Sequence, residues 1–161
     1  MLPELVAEDS VALALEQAVP GAVVDAAQAV DGPVLHIEAA QIVPVCRHLR
    51  DVHQFDQASG ITAVDWWPSE PRFEVVYLLH SYKTGARLRL SVRRGEDEDL
   101  DSVCGVWRGA NWYEREVFDL FGIRFREHPN LERIMMPADW EGHPLRKDYP
   151  VHGHKYSYQD E

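Results

Sequence analysis

Four of the eight histidines, His128, His143, His152 and His154, fall in the last 34 residues, among Glu127, Glu132, Asp139, Glu141 and Asp148. Imidazoles and carboxylates ligate metals and move protons near neutral pH, so this end of the chain is where chemistry would first be sought. The spacing argues against a metal, because HPNLERIMMPADWEGH contains neither HxH nor HExxH. General acid–base work could use Glu114, Glu116 or Asp119 with His128, but no nucleophile motif, glycine-rich phosphate loop or GxSxG accompanies them. Cys46 and Cys104 stand far apart and outside any CxxC or Cys/His pattern. They read as two buried thiols, with no support for a disulfide framework, a zinc site or an iron–sulfur site.

The same end carries WEGHPLRKDYP, residues 140–150. Pro144 and Pro150 fix their own backbone, remove two amide donors and push His143 and Tyr149 toward extended geometry. Residues 126–161 also hold Pro129 and Pro137 and show no sustained period. A structureless stretch of this length is uncommon in a compact domain unless it is functional or disordered. Leu131, Ile134, Met135, Met136, Trp140 and Leu145 make it too apolar for disorder. The expectation is an ordered, extended strap lying against something.

The elements that must position this strap come next. Residues 3–18 read as an amphipathic helix, with Pro3 suited to its first turn. Residues 22–38 read as a hairpin turning at Asp31-Gly32, and residues 39–52 as a second helix whose last turn carries Arg47, His48 and Arg50. ITAVDWW, FEVVYLLHSY and ARLRLSV (61–67, 73–82, 86–92) predict a three-stranded meander. The acidic run GEDEDLD (95–101) reads as a solvated loop or helix start. ANWYEREVFDLFG predicts a helix with Asn111 as cap, Glu114 closing a capping box and Gly122 ending it, followed by at most a short strand at IRF. The pattern predicts an α+β fold: a two-layer core domain over residues 1–125, with hairpin and β-meander packed against helices, and an extended, proline-rich C-terminal segment over 126–161.

With 161 residues and a formal net charge of −11, one domain with a real core is expected, and a chain that grips nucleic acid or anionic lipid through its overall field is not. The first residues lack a basic leader, and no apolar run approaches the roughly 20 residues of a membrane span, which predicts a soluble intracellular chain.

Across the best-specified helix, Glu114, Arg115, Glu116 and Asp119 surround the apolar stripe. Arg115 and Asp119 could pair one turn apart, a contact worth a few tenths of a kcal/mol on an exposed face. The stronger expectation is that Glu114 or Glu116 meets Arg124, Arg126, Arg133 or Arg146. A forked guanidinium holds a planar carboxylate in one orientation and can pin a segment that has no ladder.

These residues also carry a family resemblance. GVWRGANWYEREVFDLFGIRFREHPNLERIMMPADWEGHPLRKDYP, residues 105–150, resembles the signature region of the 30-kDa subunit family of proton-pumping NADH:quinone oxidoreductase, respiratory complex I. EREVFDLFGI, His128-Pro129, the segment from Pro137 to Trp140 and GHPLRKDYP occur together and in order. The likeness extends over roughly residues 60–150 and is weak over the first 55 positions. Glu132 stands where the family more often has a basic residue, and Arg108 where proline is frequent.

The resemblance implies a translocase subunit of the peripheral arm that is itself non-catalytic and holds no cofactor. FMN, iron–sulfur clusters and quinone are expected in partner subunits. The implied partners are the large quinone-binding subunit and the terminal iron–sulfur subunit, at the cytoplasmic face of the cell membrane. The strap becomes a docking surface, with Arg146, Lys147 and Asp148 as interface charges and Trp140 and Leu145 as apolar anchors, while Glu114, Arg115, Glu116, Asp119, His128 and Arg133 hold it in place. Two alternatives stand beside it: the same scaffold role in a membrane-bound hydrogenase or a ferredoxin- or F420-dependent dehydrogenase, and an independent acid–base enzyme centred on Glu116 and His128.

Overall fold

Alternation along the central strands decides the architecture. In FEVVYLLH every second side chain, Phe73, Val75, Tyr77 and Leu79, is buried, and in RLRLSVRR the same holds for Leu88, Leu90 and Val92. Each fully buried side chain of this size contributes on the order of 1.5–3 kcal/mol. In the computed structural model, which describes residues 10–150, these positions share one core with Leu15, Ile42, Val45, Leu49, Val117 and Phe121 from the helices.

In chain order the elements are α1 (Ser10–Ala18), β1 (Val23–Ala29), β2 (Gly32–Ile37), a 3-10 turn (Ala39–Gln41), α2 (Ile42–Asp51), β3 (Gln57–Asp65), β4 (Phe73–His80), β5 (Arg87–Arg94), β6 (Leu100–Asp101), α3 (Ala110–Phe121) and β7 (Phe125–Arg126). The five-stranded sheet runs β1-β2-β5-β4-β3, antiparallel except where β2 lies parallel to β5. Helices on one side and this sheet on the other make the expected α+β two-layer domain. The hairpin, the meander and the second helix all form. Of the first helix the described part is Ser10–Ala18, and positions 3–9 lie outside the described residues.

Three local expectations are corrected. β3 starts earlier than its apolar run and ends at Asp65, so Trp66 and Trp67 belong to the turn. The capping box does not form: Gly109 is the N-cap of α3 without a side-chain bond, because Glu114 is drawn inward by other donors. The acidic run is not only a loop, since Leu100–Asp101 pairs in parallel with Phe125–Arg126 and the Asp99 and Asp101 carboxylates bind Arg124 and Arg126. Gly122 closes α3 at φ 79°, the left-handed conformation expected there.

Candidate functional site

Residues 127–150 contain turns and bends but no helix or strand, so side chains must hold their backbone. The main anchor is Asp119, on the last turn of α3, with its side chain wholly buried. Its Oδ2 accepts the N–H groups of Ile134, Met135 and Met136 at 2.9, 2.6 and 2.9 Å. Its Oδ1 accepts Arg133 Nη1 at 2.7 Å, and Arg133 Nη2 donates onward to the carbonyls of Trp140 and Gly142. Burial by itself would raise the Asp119 carboxyl, but the backbone donors and the Arg133 guanidinium outweigh it and hold it below the usual range. One carboxylate thus organises residues 133–142.

A second anchor joins β3, β4 and the end of the strap. Arg72, 1% exposed, donates to buried Asp65 at 2.8 and 3.0 Å, to Asp148 at 2.6 Å and to Glu96 at 3.1 Å. Asp65 also accepts the N–H groups of Lys147 and Trp67. Its carboxyl, which burial pushes up, is brought down to about 2 by Arg72 and these N–H donors. Arg146 reaches Glu96 at 2.8 Å and donates through Nε to the carbonyl of Phe121 at 2.6 Å. Leu145 N–H donates to the Leu120 carbonyl, so the strap is laid across the end of α3. A Cβ on Gly122 would stand 2.6 Å from Arg146 Nη2 and from His143 Cδ2, so the close approach there needs glycine.

Glu114 serves the opposite side of α3. Its side chain is wholly buried and accepts Ser102 Oγ at 2.6 Å, Val103 N–H at 2.7 Å and the Cys104 thiol at 3.2 Å. His128 Nε2 lies 3.8 Å away. The Asn130 N–H donates to His128 Nδ1, which leaves the proton on Nε2, facing the Asn111 carbonyl at 3.3 Å. Cys104, Glu114 and His128 bring three ligand-type atoms within 4.8 Å of one another. With the imidazole lone pair engaged by the Asn130 N–H and the thiol pushed up to about 12, chiefly by burial, the trio stands here as a hydrogen-bonded cluster around the Glu114 carboxylate.

The sequence-predicted residues divide accordingly. Neither Glu114 nor Glu116 meets an arginine of the strap: Asp119 takes Arg133, Glu114 binds Ser102, Val103 and Cys104, and Glu116 is exposed. Arg115 does not pair with Asp119; it donates to the Glu132 carbonyl and lies over the Trp112 ring. The carboxylate beside His128 is that of Glu114, not Glu116. Arg146 and Asp148 are paired within the chain, whereas Lys147 is exposed and contributes its backbone N–H. Trp140 is half-buried and Leu145 is 52% exposed. His143 bonds the Asp119 carbonyl at 2.9 Å, and His152 and His154 lie outside the described residues.

Sequence reasoning missed Asp65, Arg72, Glu96 and Ser102. A signal for the first two was present: Asp65 ends β3 opposite Phe73, so once the hairpin is assumed the adjacent Arg72 is brought beside it across the turn.

Comparison with known proteins gives concordant matches. Residues 35–155 match the family described as respiratory-chain NADH dehydrogenase, 30 Kd subunit. An NADH-quinone oxidoreductase subunit of Geotalea uraniireducens is 48% identical over 118 residues, covering 73% of this chain and 72% of the relative. The like-named protein of Roseiflexus sp. is 46% identical over 142 residues, covering 85% and 80%. Among solved structures, a chain of the membrane-bound sulfane sulfur reductase, an archaeal respiratory membrane complex, is similar with a TM-score of 0.61 at 25% identity, covering 86% of this chain and 83% of that one.

Proposed function

The chain belongs to the respiratory-chain NADH dehydrogenase 30 kDa subunit family, and on that premise we propose that it is a scaffold of the quinone-reducing module of an NADH:quinone oxidoreductase. In this reading the core (1–125) presents residues 126–161 to neighbouring subunits, chiefly the large quinone-binding subunit and the terminal iron–sulfur subunit. The chain sits peripherally on the cytoplasmic side of the membrane and carries no cofactor, FMN, clusters and quinone belonging to its partners. Among the described residues no helix is long and apolar enough to cross a membrane, which is compatible with attachment through partners.

The observation that carries the proposal is the strap's construction. Asp119, Arg72, Arg133 and Arg146 hold it rigid from beneath, while Met135, at 62% exposure, and Leu145 face outward. Preorganised apolar side chains are what an interface core needs, because little ordering entropy is lost on association. Cys46 lies in the apolar core and Cys104 is hydrogen-bonded to Glu114, which supports a chain without cluster ligands.

Leu145→Asp in the tagged chain, produced with its partners, tests this. The expected result is loss of the assembled arm on native gels with the thermal unfolding of the isolated chain unchanged. Normal assembly and quinone reduction by that variant would refute the docking role. The same scaffold role in a complex with a different electron donor is the second reading, favoured by the likeness to the sulfane sulfur reductase chain. At 25% identity against 46–48% for the NADH-quinone oxidoreductase relatives, it ranks second.

A further inference from the structure

The strap uses its cations and its carboxylates in opposite ways. Arg133 is tied to Asp119 and to the carbonyls of Trp140 and Gly142, and Arg146 to Glu96 and the Phe121 carbonyl. The exposed Glu132, Asp139 and Glu141 make no side-chain hydrogen bond or ion pair among the described residues. Guanidinium groups stand next to two of them and bind the backbone instead. Arg115 donates to the Glu132 carbonyl at 3.1 Å, and Arg133 takes the carbonyls on either side of Glu141, whose own carboxylate is left to solvent. Asp148 is exposed too, but Arg72 holds it, and the exposed Lys147 is fixed through its N–H at Asp65. The charges that residues 132–142 leave for a partner are therefore negative.

Those carboxylates stand beside apolar side chains carried on a fixed backbone. The Met135 N–H is bound to Asp119 and the Leu145 N–H to Leu120, the next residue of α3, so the two exposed side chains rise from adjacent anchors. Glu141 belongs to the same anchor, because Arg133 joins its flanking carbonyls to Asp119. Resting on the scaffold reading above, we infer that the partner face meeting this stretch is basic around an apolar socket: lysines or arginines lie opposite Glu132, Asp139 and Glu141, and the socket receives Met135 and Leu145. An apolar centre within a polar rim is the ordinary layout of such an interface. Charge complementarity selects the sign of the occupant, since an acidic face would bring like charges together and a neutral one would leave the carboxylates partly desolvated and unpaired. The net charge of −11 adds long-range attraction for the same basic partner.

The test adds the full-length chain back to complex purified from cells lacking it and times its association from low to physiological salt. The parent rate should fall about tenfold over that range. Glu132→Gln/Asp139→Asn/Glu141→Gln should associate about tenfold more slowly than the parent at low salt and lose most of the salt response, and the corresponding Lys substitutions should be slower still. Glu38→Lys/Glu70→Lys/Asp97→Lys, which makes the same change in charge at exposed positions outside the strap, should stay within about threefold of the parent. The neutral variant should melt as the parent does, because those side chains hold nothing in the fold. A parent rate indifferent to salt, a neutral variant with the parent rate and salt response, or Lys substitutions that speed association would overturn the inference. Leu145→Asp separates it from the docking role: normal association of that variant sinks the strap reading itself, whereas blocked association beside a parent-like neutral variant sinks only the basic partner face.

Discussion

Asp148 places its carboxylate 2.6 Å from the guanidinium of Arg72, 76 residues earlier in the chain. That contact ties the end of the strap to the first turn of the meander. Because Arg72 is 1% exposed and its main partner Asp65 is 4% exposed, the cluster has an asymmetry: the intact set is compensated, but any one missing charge is not. Arg72→Ala is therefore expected to destabilise the chain by about 3–5 kcal/mol, leaving Asp65 buried with no guanidinium. Denaturant unfolding of parent and variant measures it.

Asp119 offers a sharper local test. Asp119→Ala strips the acceptor from three consecutive N–H groups and from Arg133, and each such loss to a charged acceptor costs about 1.5–3 kcal/mol, not additively. Hydrogen exchange at Ile134, Met135 and Met136 should accelerate by orders of magnitude. Glu116→Ala, on the exposed face of the same helix, should change stability by no more than about 0.5 kcal/mol.

Gly122→Ala combines a left-handed backbone, φ 79°, with a Cβ 2.6 Å from Arg146 and His143. The backbone conformation alone costs on the order of 1–3 kcal/mol in a residue with a side chain. The strap must also lift to relieve the clash, so the variant should lose thermal stability and expose the strap to protease between positions 143 and 150. Unchanged protease resistance would contradict the close packing.

The strap should loosen in acid. Asp119, Asp65 and Asp148 all titrate below the ordinary carboxylate value of 3.8 in the fold, so their stabilisation is complete above that value and is lost as pH falls through the folded values, about 2 for Asp65. His128 and His143 are held below 6.5, chiefly by burial; the fold favours their neutral forms, and stability begins to fall once pH drops below 6.5. Glu114 has the opposite sign: burial raises it, so ionisation above its ordinary 4.5 costs the fold, and Glu114→Gln should flatten that part of the profile. Unfolding free energy measured from neutral pH to about pH 2 resolves the two trends.

Much of the fold was legible because period is a local property. Alternation in FEVVYLLH and RLRLSVRR, Asp31-Gly32 between two β-tolerant runs, and Gly122 after an apolar stripe each specify an element through neighbours a few residues away. The lack of a sustained period over residues 127–150, interrupted by Pro129, Pro137, Pro144 and Pro150, goes with a stretch that carries turns and bends and no helix or strand. Family motifs were readable for the same reason, as contiguous residues.

The partners of each charge were not. Glu114, Glu116 and Asp119 lie within two turns of one helix, yet one is buried under Ser102 and Cys104, one faces solvent and one gathers the strap. Which is which depends on the rotation of α3 against β3 and on where a ladderless chain returns. Arg72, Glu96 and Arg146 converge from positions far apart in sequence for the same reason. Local periodicity set the elements and the stiffness of the end segment; the long-range ion pairs were settled only when the layers packed, because charge pairing is a matter of distance in space and carries no sequence period.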